Sequence, residues 1–501
     1  MKYVIGIDLG TSAVKLMLIS QNGYIVNEIS KKYSLIQNRS GYNEQDPEDW
    51  INQTISGLKD LVSKFQGHKN DIKGISFSGQ MHGLVLVDHS NNILRNAILW
   101  NDTRTSEECN EINKKVGKQR LLSITKNLAL EGFTLPKILW VKKHEPNIYK
   151  NIKKFMLPKD YVRFCLTGQI HTDFSDAAGT LLLDIQQQDW SQEILNYFDI
   201  APHICPEIVE SSEYIGEITE EISDITGLSR YTAVFAGGAD NACGAVGSGI
   251  LEKGKTMVSI GTSGVLLTYE NDVDKKFEGK VHYFNHAIPN EFYSMGVTLA
   301  AGHSLSWLKD TFFKDETFDS LINEIKDVPI GSKGLLFSPY IVGERTPYMN
   351  ADLRGSFIGI DSSHSKKYFI RAVLEGITFS LKDTLEIFKN GGKKIDSIIS
   401  IGGGAKNDVW LQMQADVFDT EIIKLKHEQG PGFGSAMIAA YGVGWFNSIK
   451  ECWNQFAHEN IDSVYKPNKH NVSKYKKIYK IYTDIYASTK HISEELADYR
   501  K

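Results

Sequence analysis

The chain of 501 residues contains no run of 18 apolar residues, and a helix needs about that many to cross a membrane. Its apolar N-terminus does not fit a signal peptide, because Asp8 interrupts the run and only Lys2 precedes it. Cysteine is scarce as well, since the five residues are widely separated and form no Cys-x-x-Cys pair. We therefore expect neither a disulfide framework nor a zinc site, and we expect a cytoplasmic protein with no membrane partner.

An excess of positive charge is also absent. The chain has 56 Lys and Arg against 61 Asp and Glu, a formal net charge of −5, which argues against a nucleic-acid partner. A small-molecule partner is expected instead. With 41% apolar residues, the chain is long enough for two hydrophobic cores. We predict an N-terminal domain over residues 1–248 and a C-terminal domain over 249–501, with a hinge near 250–254.

One short phrase occurs twice, as Ile-Asp-Leu-Gly-Thr-Ser at 7–12 and as Ser-Ile-Gly-Thr-Ser-Gly at 259–264. Apolar runs precede and follow each copy, which predicts strand, tight turn and strand. A single turn of this kind is more often an ordinary hairpin turn, although its backbone N–H groups can also bind an anionic oxygen. The duplication favours two related lobes that each contribute a phosphate loop to one cleft.

Asp240 emerges from a glycine turn directly before a predicted helix of very small residues, 241–249. Such an aspartate is most often an N-cap. The alternative is a general base that accepts the proton of an alcohol as the alcohol attacks phosphorus. The small residues behind Asp240 would let this helix pack closely against another backbone.

Several other segments carry candidate chemistry or clear structural signals. Asp8 is either a turn-stabilising residue or a carboxylate that holds Mg²⁺ through water. The apolar run 398–401 predicts a buried strand that enters the glycine turn 402–404, which is typical of a nucleotide site. Asp46 followed by Pro47 predicts a helix start. Residues 366–389 predict a long helix, and a helical extension is expected after about residue 446.

A set of ordered motifs carries a resemblance to a known family. The segments are 6–12, 44–47, 79–83, 99–102, 132–140, 157–161, 175–180, 238–241, 259–264, 343–347 and 402–405. Together they are similar to the FGGY family of carbohydrate kinases over nearly the whole chain. One departure is Tyr368, which stands in a slot of the second family signature that usually carries an acid or an amide.

The resemblance implies an α/β fold of two actin-like (ribonuclease H-like) lobes with an ATP and sugar cleft between them. The implied reaction moves the γ-phosphoryl group of Mg-ATP to the terminal hydroxyl of a ketose, D-xylulose in the branch that this chain resembles most. By motif, Asp240 is the base and Asp8 helps to hold the phosphates and Mg²⁺, the metal through water. Contacts to the sugar are implied for Met81, His82, Asp240 and Asn241, and contacts to ATP for Thr11, Gly261, Thr262, Trp307, Gly403, Gly404 and Asn407.

Three alternatives stay open at this point. A sibling kinase could phosphorylate ribulose, glycerol or gluconate. An actin-like ATPase switch would use ATP to change conformation without a small acceptor. A catalytically dead sugar sensor is disfavoured, because both phosphate loops and both acids are intact. Family members are commonly dimers, so a homodimer is expected.

Overall fold

The structure is a computed structural model and describes residues 1–275, 277–426, 430–457 and 461–500. Its strands are β1 (Tyr3–Leu9), β2 (Ala13–Ser20), β3 (Ile25–Lys32), β4 (Glu44–Gln45), β5 (Ile72–Gly79), β6 (Val85–Val87), β7 (Ala97–Ile98), β8 (Lys154–Met156), β9 (His171–Asp173), β10 (Leu183–Asp184), β11 (Asp189–Trp190), β12 (Glu207–Val209), β13 (Tyr214–Glu217), β14 (Ala233–Phe235), β15 (Gly238–Ala239), β16 (Lys255–Ile260), β17 (Gly264–Glu270), β18 (His282–Asn285), β19 (Phe292–Thr298), β20 (Leu336–Ser338), β21 (Ser356–Ile358), β22 (Ser397–Gly402), β23 (Glu421–Leu425) and β24 (Ile461–Tyr465).

The α-helices lie between and after these strands. They are α1 (Pro47–Lys64), α2 (Ser106–Lys115), α3 (Lys118–Thr125), α4 (Thr134–His144), α5 (Pro146–Lys150), α6 (Pro158–Thr167), α7 (Phe174–Ala177), α8 (Gln192–Tyr197), α9 (Glu220–Thr226), α10 (Asp240–Gly247), α11 (Gly302–Phe312), α12 (Phe318–Asn323), α13 (Lys366–Asn390), α14 (Asp408–Phe418), α15 (Pro431–Gly442), α16 (Ile449–Ala457), α17 (Lys469–Tyr482) and α18 (Asp484–Glu495). Short 3₁₀ turns cover Lys69–Asp71, Ala178–Thr180, Pro202–Ile204, Ser332–Gly334, Gly403–Ala405 and Leu496–Arg500. None of the helices in these described ranges combines the length and apolar character needed to cross a bilayer.

Two large mixed sheets repeat one topology. The N-terminal sheet runs in the order β13-β14-β5-β1-β2-β3, and β15 also pairs with β5. The C-terminal sheet runs β18-β19-β17-β16-β22-β23-β24. In the N-terminal sheet, β1 forms an antiparallel hairpin with β2 and pairs in parallel with β5, which pairs in parallel with β14. In the C-terminal sheet, β16 forms an antiparallel hairpin with β17 and pairs in parallel with β22, which pairs in parallel with β23. The predicted strand-turn-strand units are confirmed in both halves, and the repeated phrase marks a structural repeat.

The N-terminal sheet is covered on both faces, which explains why β1 is apolar almost throughout. Helix α1 lies on one face, where a Cβ added at Gly57 would come within 2.5 Å of Leu16. Helix α15 lies against β1, where a Cβ added at Gly6 would come within 2.0 Å of the Gly432 carbonyl oxygen. Since α15 comes from the C-terminal half, the two halves interlock, and the predicted boundary between residues 248 and 249 stays a prediction.

The helix of small residues after Asp240 packs as its composition indicates. A Cβ added at Gly434 of α15 would lie 1.8 Å from the carbonyl oxygen of Cys243 in α10, so the two backbones approach each other closely. A second link joins the halves at the edge strand β18. The Asn127 amide donates to the Tyr283 carbonyl oxygen at 2.8 Å and accepts from the Tyr283 N–H at 3.3 Å, as a neighbouring strand would.

The local signals in the sequence are confirmed at three further places. Asp46 accepts a hydrogen bond from the Glu48 N–H at the start of α1. The long helix predicted over 366–389 is α13. Strand β22 enters the glycine turn, which continues through a 3₁₀ turn into α14. All five cysteines are free.

The segment after residue 446 is mostly helical, as expected, but it also supplies β24 to the C-terminal sheet. Its helices α17 and α18 hold the loop that follows β20. Tyr482 and Tyr340 share a hydrogen bond between their hydroxyls at 3.0 Å, and Tyr486 stacks on Tyr348 with 3.8 Å between ring centroids. The extension therefore braces the loop that carries Glu344 and Arg345.

Candidate active site

Three neighbouring strands of the N-terminal sheet end at the same edge. Asp8 of β1 lies beside Ser78 of β5, and Ser78 lies beside Gly238 of β15, two residues before Asp240. The Ser78 hydroxyl donates to Asp8 Oδ1 at 3.0 Å. Because the carboxyl ends of parallel strands form the usual ligand crevice of an open α/β sheet, the register itself brings Asp8 and Asp240 to one crevice.

The pKa values of both carboxylates are raised. Burial raises the pKa of Asp240 to about 7, and the nearby charge of Asp8 contributes to that rise. Burial also raises the pKa of Asp8, against the effect of its hydrogen bond with Ser78. A carboxyl group with a pKa near neutrality is well suited to proton transfer.

Asp240 is not the N-cap of helix α10, so the more common structural interpretation of its setting does not hold. Helix α10 begins at Asp240 itself, after Ala239 as the capping residue. Asp240 Oδ1 accepts from its neighbour Asn241, from the backbone N–H at 2.7 Å and from Nδ2 at 2.9 Å. Both of these hydrogen bonds end on the same carboxylate oxygen, Oδ1.

The surroundings of Asp8 can be tested for a metal. In the described ranges, no group of three or more His, Cys, Asp or Glu side chains is placed to hold a metal ion. Mg²⁺ does not need such a group, because it keeps several waters and takes substrate phosphates as ligands beside one or two carboxylates. Asp8 therefore fits a magnesium ion held through water and phosphate, and it does not fit a caged structural metal.

A cavity of about 460 Å³ opens in the C-terminal half, within the usual size range of ligand pockets. Among its lining residues are Gly261, Thr262, Gly403, Gly404 and Asn407. The start of helix α11 fixes the second glycine-threonine turn through two hydrogen bonds. The Gly302 N–H donates to the Gly261 carbonyl oxygen at 2.8 Å, and the His303 N–H donates to the Thr262 carbonyl oxygen at 3.1 Å.

The glycine turn of this cavity leaves no room for a side chain. A Cβ added at Gly404 would lie 2.6 Å from Ile260, so only glycine allows the turn to close against β16. Asn407 caps α14, with its Oδ1 accepting from the Val409 N–H at 3.0 Å. Five of the seven residues predicted to contact ATP thus line one cavity.

The other two predicted ATP contacts lie elsewhere. Trp307 stacks on Phe337 with 6.3 Å between ring centroids, while its neighbours Leu305 and Ser306 line the cavity. Thr11 follows β1 and accepts a hydrogen bond from Trp100 Nε1 at 3.0 Å. The structure does not bring Trp307 or Thr11 together with the five residues in the cavity.

The predicted sugar contacts do meet beside Asp240. The Met81 sulfur accepts from Asn241 Nδ2 at 3.6 Å and from the Tyr293 hydroxyl at 3.8 Å. His82 packs against Phe133 with 4.7 Å between ring centroids and lies 6.0 Å from Phe284. Phe284 and Tyr293 belong to the C-terminal sheet, so both halves of the chain contribute to this group of side chains.

The protonation of His82 follows from its surroundings. Burial lowers the pKa of His82 to about 3, which keeps the imidazole neutral. Its Nδ1 lies 2.5 Å from the Gly179 carbonyl oxygen, and because a carbonyl only accepts, Nδ1 carries the proton. The Nε2 atom is then an acceptor, suited to a hydroxyl group.

Arg345 is a site residue that the sequence reasoning missed. Its charge lowers the pKa of both His82 and His282, so this residue of a C-terminal loop lies in the electrostatic neighbourhood of His82 in the N-terminal half. In the sequence, the segment 343–347 is a family motif without a local signal of a site. No repeat or turn signal in the sequence predicts that Arg345 lies near His82, because that proximity depends on how the two halves of the chain pack together.

Comparison with known proteins places the chain in a family. Residues 3–247 match the N-terminal domain, and residues 256–443 the C-terminal domain, of the FGGY family of carbohydrate kinases. A xylulose kinase of Bacillus subtilis (strain 168) is 56% identical over 501 residues, 100% of each chain. The crystal structure of a ligand-bound xylulose kinase from Lactobacillus acidophilus is 29% identical, with a TM-score of 0.94 over 99% of this chain and 100% of that one. A gluconate kinase structure from the same organism is 30% identical, with a TM-score of 0.92 over 97% and 98%.

The chain therefore belongs to the FGGY family of carbohydrate kinases. The predicted fold of two actin-like lobes is confirmed. Membership makes the protein a carbohydrate kinase that uses ATP and acts on a small sugar-like substrate.

Proposed function

We propose that this chain transfers the γ-phosphoryl group of ATP to the terminal hydroxyl of D-xylulose, giving D-xylulose 5-phosphate and ADP. The observation that carries the proposal is the meeting of Asp240 with Asn241 and Met81 beside Asp8, in a chain whose full-length relatives include a xylulose kinase at 56% identity. The same set of residues lies at the crevice where both halves of the chain meet.

Asp240 acts in this proposal as the general base. The oxygen of the acceptor hydroxyl forms a bond to the γ-phosphorus as the bond from that phosphorus to the β,γ-bridging oxygen breaks. The hydroxyl proton passes to the Asp240 carboxylate, and ADP leaves. Positioning and charge neutralisation supply most of the rate in reactions of this class.

The remaining roles follow from position. Asp8 would hold Mg²⁺ through water, and the metal would supply charge neutralisation at the phosphates when bound. Gly261 and Thr262 would face the phosphates, with Gly403, Gly404 and Asn407 at the adenosine. The contacts of Thr11 and Trp307 with ATP, the cytoplasmic location and the homodimer stay predictions.

An acceptor panel tests the substrate. ADP release from Mg-ATP is measured with D-xylulose, D-ribulose, L-ribulose, glycerol, gluconate and no acceptor. Gluconate belongs in the panel because a gluconate kinase shares the fold at 30% identity. The expected result is a strong preference for D-xylulose. Preference for another acceptor would support the kinase activity but contradict the assignment of D-xylulose as the substrate. ADP release at the same rate with and without every acceptor would favour the ATPase switch.

The rate should fall in acid, because Asp240 must be unprotonated to accept a proton. At low concentrations of both substrates the rate reports the free enzyme, in which the pKa of Asp240 lies at about 7. We expect half-maximal activity near pH 7 and, well below it, a decline that approaches tenfold per pH unit, which protonation of Asp8, whose pKa is also raised, would steepen. A rate that stays constant down to pH 5 would contradict the assignment of the base.

A further inference from the structure

Lys137 is a fully buried lysine beside His82. Its side chain extends from the first turns of α4 and is 0% exposed. Its Nζ donates to two backbone carbonyl oxygens, that of His82 at 2.8 Å and that of Gly132 at 2.6 Å. Both acceptors are neutral, and burial lowers the pKa of the Lys137 ammonium to about 7. Burying a lysine amine is unfavourable unless the amine is hydrogen-bonded. The two bonds to carbonyl oxygens therefore hold the Lys137 amine in place.

The residue that receives this hydrogen bond has an unusual backbone. His82 has a φ of 68°, in the left-handed region that side chains other than glycine rarely adopt. Such conformations persist only when the surrounding structure fixes them, and they cluster at functional sites. The His82 carbonyl oxygen also accepts from the Thr134 hydroxyl at 3.1 Å, so two side chains of α4 hold one carbonyl.

His82 is fixed at its other end as well. Its Nδ1 donates to the Gly179 carbonyl oxygen, and a Cβ added at Gly179 would lie 2.9 Å from that nitrogen. The carbonyl held by α4 and the imidazole held by Gly179 together determine where Nε2 points. If the carbonyl contact is lost, we expect the backbone to leave the left-handed region and the ring to turn.

We infer that Lys137 is a positioning residue for the acceptor: by donating to the His82 carbonyl it fixes the left-handed backbone that directs the His82 imidazole toward the sugar. The inference rests on the proposed function, in which His82 contacts the ketose. Lys137 itself touches neither substrate and acts through His82.

The chain offers a matched control on the same helix. Lys142 Nζ also donates to two backbone carbonyl oxygens, of Phe198 at 2.7 Å and of Asp199 at 3.0 Å, away from the sugar pocket. Lys142→Met removes the same kind of contact from α4 without touching His82. A purely structural role of Lys137 would give the two variants the same pattern of effects.

The test compares Lys137→Met with Lys142→Met and the wild type. For Lys137→Met we expect the KM for the acceptor to rise by about tenfold or more, as loss of a charged hydrogen bond implies, with the KM for ATP within about twofold. Lys142→Met should leave both values unchanged. Thr134→Val removes the second donor to the same carbonyl and should raise the acceptor KM by a smaller factor. This variant replaces Lys137→Met in the test if Lys137→Met does not fold.

A crystal structure of Lys137→Met, or of Thr134→Val in its place, supplies a readout that needs no activity. We expect His82 to have left the left-handed region or its Nδ1 to have lost the Gly179 contact. His82 unmoved, with an unchanged acceptor KM, overturns the inference, and so does an equal rise of the acceptor and ATP KM values. A wild type that phosphorylates no acceptor overturns the proposed function instead, and the position of His82 still decides the role of Lys137.

Discussion

Replacing Asp240 with asparagine is expected to lower kcat by about 10²–10⁴-fold, the contribution typical of a positioned general base. Asparagine keeps the shape and an oxygen that can accept from Asn241, but it cannot take up the proton of the acceptor. The fold should not suffer. Burial and the charge of Asp8 both disfavour the ionised Asp240, so a neutral side chain leaves stability unchanged or raises it.

The measurement is steady-state ADP release at saturating substrates, together with a thermal unfolding curve. Asp46→Asn is the matched control, because Asp46 is another aspartate at a helix start and accepts from the Glu48 N–H as an ordinary cap. It should keep the wild-type kcat. Asp240→Asn with wild-type turnover in a folded protein would show that the carboxylate is not the base.

Replacing Lys159 with methionine is expected to destabilise the protein by about 3–5 kcal/mol, the usual result of removing one partner from a buried ionic group. Its ammonium lies 2.6 Å from Asp160, 2.8 Å from Asp173 and 3.2 Å from Asp176, and all four side chains are 0% exposed. Burial alone would lower the pKa of Lys159, but the three carboxylates outweigh it and hold the pKa above its ordinary value. Without the amine these buried charges lose their main compensation.

This ionic group also supports the proposed base. Asp173 accepts from the Ser175 hydroxyl, and the Ser175 oxygen accepts from the N–H of Ala239, the residue before Asp240, at 2.9 Å. Denaturant unfolding of Lys159→Met measures the loss. Lys394→Met is the control, because Lys394 pairs with Asp396 at 2.9 Å on the surface and its removal should leave the unfolding midpoint unchanged. Equal midpoints for the two variants would contradict the role assigned to the buried group.

Much of the fold can be predicted from local signals in the sequence. The hairpins around the two glycine turns, the capped start of α1 and the long helix α13 each depend on residues within one short segment, and the sequence predicts all of them. The convergence of Asp8 and Asp240 also follows once the parallel strands are in register. Periodicity and turn chemistry determine these features with little help from distant contacts.

The remaining features depend on packing between segments that are far apart in the sequence. No local pattern predicts that α15, from the far end of the chain, packs on β1, or that the Tyr293 hydroxyl reaches Met81 of the other half. The left-handed backbone of His82 depends on Lys137, 55 positions away. The predicted contact of Trp307 with ATP stays a prediction, and in the structure its ring stacks on Phe337.

The central claim is phosphoryl transfer to the terminal hydroxyl of D-xylulose, and the identity of the product tests it most directly. The protein is incubated with Mg-ATP and D-xylulose labelled with ¹³C at C5, and the products are followed by ¹³C and ³¹P NMR. The account predicts one equivalent of ADP per sugar consumed and a C5 signal split by coupling to phosphorus. Inorganic phosphate beside an unchanged C5 signal would contradict it.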